Sequence, residues 1–357
     1  MYNNQQKDIE ENLPHMPDLS QLNEILNIQS SSKNESRMVV HLWDKLKKYN
    51  PVIDNVGNMI ITKGESDAFP CVVAHLDTVH NFYNDFKVSY TNKLNRVHAF
   101  ATSQSQRVGV GGDDKCGIFA CLYMLEKFDN IKIVFFTQEE SGLIGSSDIE
   151  ESVFDDVGYI IQLDRWGRSD FISSVYKSDT VSDSFKLKIK DSMFKYGFYH
   201  AEGLITDSIN LFERNVGVSC VNISCGYYQH HSNMEYIDVN ELWNSVLFTE
   251  QIIRDLGEEI YAKYGFNSYN ELGYYDKTGN YYDEIENYYD CGNKWNDNNA
   301  IEDIIFDFLI KYDIDINNIT KDDRELLSEI LKDRGIHLSD NMLYNYTVNV
   351  VWDMRNI

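Results

Sequence analysis

The chain has 357 residues, 43% of them hydrophobic, enough for one large α/β domain with an appendage or for two domains. Its 57 Asp and Glu against 32 Lys and Arg give a formal net charge of -25. That field repels phosphate backbones and anionic bilayers, and no basic stripe reverses it locally, so nucleic acid and membrane surfaces are excluded as expected partners.

The opening "MYNNQQKDIEENLPHM" is polar and lacks the basic-then-apolar pattern of a secretory leader. No apolar run approaches the ~20 residues that cross a bilayer. Six cysteines (Cys71, Cys116, Cys121, Cys220, Cys225, Cys291) show no paired C-x-x-C spacing. They read as free, mostly buried thiols in a reducing compartment, and the expected location is cytoplasmic.

Residues Asp18 to Tyr49 carry helical periodicity in two pieces, "DLSQLNEILNIQS" and "ESRMVVHLWDKLKKY". "VIDNVGNMIITKG" reads as a hairpin around Asn-Val-Gly. "CVVAHLDTV" is a short continuous apolar run, as expected of a strand buried on both faces with polar residues at its carboxyl end. A more polar β-like stretch runs from Phe86 to Val110, and "CGIFACLYMLEKF" is a buried helix. "IKIVFFT", "VGYIIQLD" and "VGVSCVNIS" are further buried strands; "VSDSFKLKIKDSMFKYG" and "TDSINLFERN" are helices between them. A long helix from Val239 to about Tyr264 closes the unit.

Strands alternating with helices predict an α/β fold with a mostly parallel central sheet flanked by helices. Residues 1–265 form the expected catalytic domain. Residues 266–299, rich in Tyr, Asn and Asp, read as a linker or arm, and 300–357 as a small helical C-terminal appendage. The appendage is either a packing extension or a surface for docking and homo-oligomer formation.

In open α/β sheets ligands gather outside the carboxyl ends of the strands. Five acidic or histidine clusters fall at such ends: His75 with Asp77, Asp113-Asp114, Glu139-Glu140, Asp164, and His230-His231. Each alone is unremarkable as a capped loop or solvated turn. Together they converge on one crevice if the sheet is parallel. Carboxylates so close cannot all ionise at neutral pH without a compensating cation. Two histidines, several carboxylates and no cysteine pattern favour zinc or a similar borderline metal. A pair of metals needs a bridging carboxylate, which gives a purpose to an aspartate on the Gly111-Gly112 turn.

The order and wording of these motifs resemble the co-catalytic zinc exopeptidase superfamily, which includes peptidase T and the lidless aminopeptidases. "HLDTV", "GGDDKCG", "TQEESGLIGS" and "GYYQHHSNMEY" carry the resemblance, which spans roughly Val52 to Leu256. It implies two Zn2+ ions, or other divalent ions such as Co2+ or Mn2+. By that resemblance His75 binds one ion and Asp77 orients its imidazole. Asp113 bridges both, followed by Asp114 across a peptide bond often cis in the family, and Glu140 and Asp164 each bind one. A histidine with an acid four residues later, His231 and Glu235, selects His231 as the last ligand. His230 then supports it, meets substrate or is a plain neighbour. Glu139 is the expected general base: two metals lower the pKa of a water from 15.7 to ~7, and Glu139 takes its proton and passes it to the leaving amine.

Other residues carry two readings each. Arg165, with Trp166, could meet a substrate carboxylate or serve structure alone. Tyr227 and Tyr228 could stabilise a tetrahedral oxyanion. Asp207 in "ITDSINLF" either caps a helix or supports the crevice, and Lys115 anchors its turn. The family's lid or dimerisation domain has no room between Asp164 and His231, whereas the stretch from His75 to Asp113 is long, as in peptidase-T types. The expected activity is that of a metallopeptidase on small peptides, most directly an aminopeptidase. The alternatives are a deacylase of N-acyl amino acids and a non-catalytic metal-binding interaction protein.

Overall fold

The structure, a computed structural model, describes residues 19–91, 95–102, 105–176, 178–262 and 327–328. The chain divides into two compact units, Met1–Asn280 and Tyr281–Ile357. All the elements named below belong to the first. The expected arm at 266–299 lies outside the described residues, as does the appendage at 300–357 apart from Leu327 and Ser328.

Among the described residues the first unit opens with helices α1 (Ser20–Leu26) and α2 (Ser36–Leu46) and the hairpin β1 (Val52–Ile53) and β2 (Met59–Lys63). Next come β3 (Phe69–His75), three strands β4 (Phe86–Thr91), β5 (Arg96–Ala101) and β6 (Gln106–Val108), and helix α3 (Gly112–Lys127). β7 (Ile131–Phe136), α4 (Ile144–Asp148), β8 (Val157–Arg165), β9 (Asp170–Val175) and β10 (Ser178–Asp179) follow. The unit continues with α5 (Asp183–Tyr196), β11 (Tyr199–Gly203), α6 (Asp207–Glu213), β12 (Ser219–Ser224), β13 (Tyr227–Tyr228), β14 (Tyr236–Asp238) and α7 (Val239–Leu256).

The main sheet has the order β1-β2-β7-β3-β8-β12-β9-β10, with β11 on β9. Its centre is parallel: β3 pairs with β7 and β8, and β8 with β12. The antiparallel pairs lie towards its margins, between β1 and β2, β2 and β7, β12 and β9, and β9 and β10. Side chains alternate across a strand, so each buried run feeds two cores. Val72 and Ala74 join Ile133, Phe135 and Ile161 beneath α3 and α7, whereas Cys71 and Val73 join Val134, Phe136 and Ile160 on the side of α6. Every residue of β3, β7 and β12 is buried, and the mostly apolar sequence of β3 and β7 is the direct consequence.

The polar stretch after His75 forms a second sheet, β13-β14-β5-β4 with β6 on β5, which buries Val97, Ala99, Ala101 and Val108 in the main core. Five strands were not anticipated from sequence: β9, β10 and β11, which widen the main sheet after Asp164, and β13 and β14 of the second sheet. The last helix is shorter than expected. It stops at Leu256 rather than near Tyr264, because Gly257 adopts a φ of 65° and the chain then turns back so that Tyr261 N–H donates to the Gly158 carbonyl. The cysteines within the described residues are free and buried. No described helix is long and apolar enough to cross a membrane.

Candidate active site

The parallel strands deliver the predicted groups to one end of the sheet. His75 is the last residue of β3, Asp164 lies one residue before the end of β8, and Glu139-Glu140 follow β7. Asp113 sits at the start of α3, where it and Asp114 depart from helical geometry across a cis peptide bond. His230 and His231 lie between β13 and β14.

These groups meet. His75 Nε2 is 2.9 Å from Asp113 Oδ1 and 3.7 Å from Asp164 Oδ1. His231 Nε2 is 3.3 Å from the other Asp113 oxygen, Oδ2, and 2.9 Å from Glu140 Oε1. Two overlapping sets, His75-Asp113-Glu140 and His75-Asp114-Asp164, have potential ligand atoms all within 4.8 Å of one another. Asp113 thus offers one oxygen to each histidine.

Supporting contacts explain why the cluster holds its shape. His75 Nδ1 lies 3.0 Å from the Asp77 carbonyl and 3.4 Å from its carboxylate. The same carboxylate accepts the Glu139 N–H at 2.9 Å, the Glu140 N–H at 3.3 Å and the Ser32 hydroxyl at 2.7 Å. One buried aspartate therefore fixes an imidazole and the loop that carries both glutamates. Asn58, from the turn of the first hairpin, grips that loop from behind: its amide donates to the Gly145 carbonyl and accepts the Thr137 N–H. Lys115 is buried and donates to the Leu26 carbonyl at 3.3 Å, tying the Asp113 turn to α1. Burial pushes its ammonium down to about 8, against the field of Glu235.

The electrostatics report an excess of carboxylate. Burial opposes ionisation of Asp113, yet hydrogen bonds from His231 and His75 hold it far below the usual range. Asp164 is raised well above that range by burial and by Asp113, and Asp114 by burial and by Asp164. Burial alone would depress His75, but Asp164, Asp113 and Asp77 hold it well above its ordinary value. His231 is lifted to about 10 by its hydrogen bonds to Asp113 and Glu140. Protons on the two imidazoles here supply the positive charge that the carboxylates require, at the positions where divalent cations would supply more. The donor set, imidazole and carboxylate without thiolate, fits zinc and its neighbours.

Glu139 is partly buried and pushed up to about 8, chiefly by burial, with His75 opposing and Asp207, Asp113 and Glu140 adding. Such a value suits a group that must take and return a proton near neutrality. Asp207 is fully buried, with the Ser146 side chain beside its carboxylate. Thr206, not Asp207, occupies the cap position of α6. Burial pushes Asp207 up to about 7, with His75 and a hydrogen bond from Ser146 opposing and Asp164 and Asp77 adding.

The remaining candidates diverge. Arg165 is engaged with Asp170 at 3.0–3.1 Å and lies over the Trp166 ring. The Tyr228 hydroxyl donates to Glu241, whereas the Tyr227 hydroxyl reaches the cluster, donating to Asp164 Oδ1 at 3.1 Å. His230 packs edge-on against Tyr227 and His231, and burial lowers its pKa. Ser32, Asn58 and His80 were not singled out from sequence. Nothing in their local pattern distinguishes them from ordinary loop residues.

The sequence model of Peptidase family M28 matches residues 55–245. Among solved structures the chain is similar to aminopeptidase PepT from Bacillus cereus ATCC 10987, at 16% identity and a TM-score of 0.54, over 67% of this chain and 97% of that one. It is also similar to a tripeptidase from Staphylococcus aureus subsp. aureus Mu50, at 15% identity and a TM-score of 0.53, over 66% and 98%. At these identities the likeness is one of fold. No curated protein matches the chain. The family match spans more than half of the sequence and takes in His75, Asp113, Glu139, Glu140, Asp164 and His231, and the chain belongs to peptidase family M28, a family of metallopeptidases.

Proposed function

We propose that the chain is a dinuclear zinc aminopeptidase of small peptides. The observation that carries this reading is the pair of distances about Asp113, whose two oxygens face two different histidines. In it, His75, Asp113 and Asp164 would hold one ion, and Asp113, Glu140 and His231 the other. When bound, the ions supply an acidified water and polarise the scissile carbonyl. Glu139 accepts the proton of the attacking water and gives it to the leaving amine as the C–N bond breaks. Asp77 keeps the His75 imidazole oriented and the Glu139 backbone in place. The neutral His230 offers a ring N–H at the edge of the cluster.

Preference for a free amino end follows from charge. Beyond the carboxylates that would balance the ions, the crevice holds Asp77, Glu139 and Asp207, which favour an α-ammonium over a substrate carboxylate. Arg165, the group that a deacylase of N-acyl amino acids would use, is taken up by Asp170. The fold is shared with proteins described as an aminopeptidase and a tripeptidase, which supports the same choice.

The test is a panel of di- and tripeptides, with free or acetylated amino ends, on zinc-reconstituted protein. Cleavage of the free peptides and its loss on acetylation are expected. Equal cleavage of acetylated peptides, or hydrolysis confined to N-acyl amino acids, would overturn the aminopeptidase assignment.

A further inference from the structure

Glu235 is completely buried, but its oxygens serve backbone rather than the ligand cluster. Oε2 accepts the Gly111 N–H at 2.6 Å and lies 2.6 Å from His80 Nε2; Oε1 accepts the Asp113 N–H at 3.1 Å. These N–H groups belong to the start of α3, where a helix leaves its first donors unpaired. A buried carboxylate is tolerated only when its lone pairs are occupied, and this one is occupied from three sides.

The turn it grips has no slack. Gly111 has a φ of 73°, and a Cβ on Gly112 would lie 2.8 Å from Tyr227 Cβ and 2.9 Å from Ile237 Cγ1. His80 is equally confined, since a Cβ on Gly109 would fall 1.9 Å from its ring. Glu235 closes the loop that carries His231, and that loop is braced internally: the Ser232 hydroxyl donates to the Gln229 carbonyl and accepts the Met234 N–H. Three segments therefore converge on one side chain: the stretch after His75, the turn of Asp113 and the loop of His231.

We infer that Glu235, held by His80, is a positioning residue that fixes Asp113 relative to His231 and so sets how tightly the second cation is held. The inference rests on the dinuclear reading above. Glu235 also closes the loop of His231, which would serve one ion only, and His75 has its own support in Asp77, so loss of Glu235 should act unequally on the two ions. The one shared by Asp113, Glu140 and His231 weakens, and the one at His75, Asp113 and Asp164 persists.

Titration of the metal-free full-length protein with Co2+, followed by visible absorption and calorimetry, tests this. Wild type is expected to take up two ions. Glu235→Ala should keep one at wild-type affinity, bind the other at least tenfold more weakly and lose kcat with little change in KM. His80→Ala should show the same asymmetry more mildly, and His80→Gln, which restores a donor, should recover it. Glu235→Ala that binds both ions as wild type does, or weakens both equally, overturns the inference. If Glu235→Ala fails to fold, the His80 pair carries the same comparison, and an unchanged or symmetric response there overturns it as well. Wild type that binds fewer than two ions overturns the dinuclear reading instead, and the inference with it.

Discussion

His231 Nε2 stands 3.3 Å from one oxygen of Asp113, while the other oxygen of that carboxylate is 2.9 Å from His75. A side chain so placed belongs to both halves of the cluster. Asp113→Ala should therefore lower metal content from two ions towards none, whereas Asp164→Asn and Glu140→Gln should each remove one. Elemental analysis after dialysis, with metal per chain as the readout, separates these outcomes. Retention of two ions by Asp113→Ala would contradict its bridging role.

Glu139 is tied to Asp77 through its backbone N–H, which a Gln keeps, so Glu139→Gln should leave metal content intact. The loss of a general base predicts a fall in kcat of ~10²–10⁴-fold. Steady-state kinetics beside metal analysis is the check. Equal activity in variant and wild type would favour a binding protein over an enzyme.

Cation binding should release protons. His231 is lifted to about 10 and His75 lies well above its ordinary value, so both carry protons at pH 7 in the ion-free chain. A ligating imidazole must be neutral, hence apparent affinity rises with pH. Calorimetry at pH 7 in two buffers of different ionisation enthalpy should give different heats; identical heats would refute proton release.

Acid should destabilise the fold through two residues distant in sequence from the ligands. His98 and His200 are each pushed down to about 4, mainly by burial, with Arg107 and Arg96 acting on the first and Lys186 on the second. Between the unfolded value near 6.5 and 4 the unfolded chain binds more protons, so stability falls as pH is lowered through that window. Thermal melting of metal-free protein from pH 7 to 4 should show a smaller decline in the double variant His98→Asn/His200→Asn. An identical decline would place the acid sensitivity elsewhere.

Phe248 of α7 is fully buried, stacked on Phe198 at 4.2 Å and edge-on to Phe171 at 6.1 Å. Phe248→Ala should cost about 3–5 kcal/mol of folding stability, measured by urea unfolding. A loss below about 1 kcal/mol would mean that neighbouring rings collapse into the space.

The centre of the fold was legible because burial on both faces leaves a simple mark: dense apolar runs such as "CVVA" and "IVFF". β9 and β11 escaped because "DFISSV" and "YHAEG" mix polar and apolar residues at the sheet's margin, where one face is only half covered. The candidate ligands were legible as a set, through their place at strand ends and their resemblance to a known family. Their support was less so. Asp207 could be read either as a cap or as part of the crevice, and only burial distinguishes them. Choosing between Tyr227 and Tyr228 depended on which face of a two-residue strand turns inward. Arg165 finds its partner five residues later, across a turn that spacing alone does not describe.

The groups about Asp113 come from segments that span residues 75 to 231 in a fixed order. During synthesis His75, Asp113 and Asp164 all exist before His231 is made, and the Asp113 turn lacks its Glu235 anchor until the same late stretch emerges. The cluster is therefore complete only once the last segment of the first unit, which carries both His231 and Glu235, has been made.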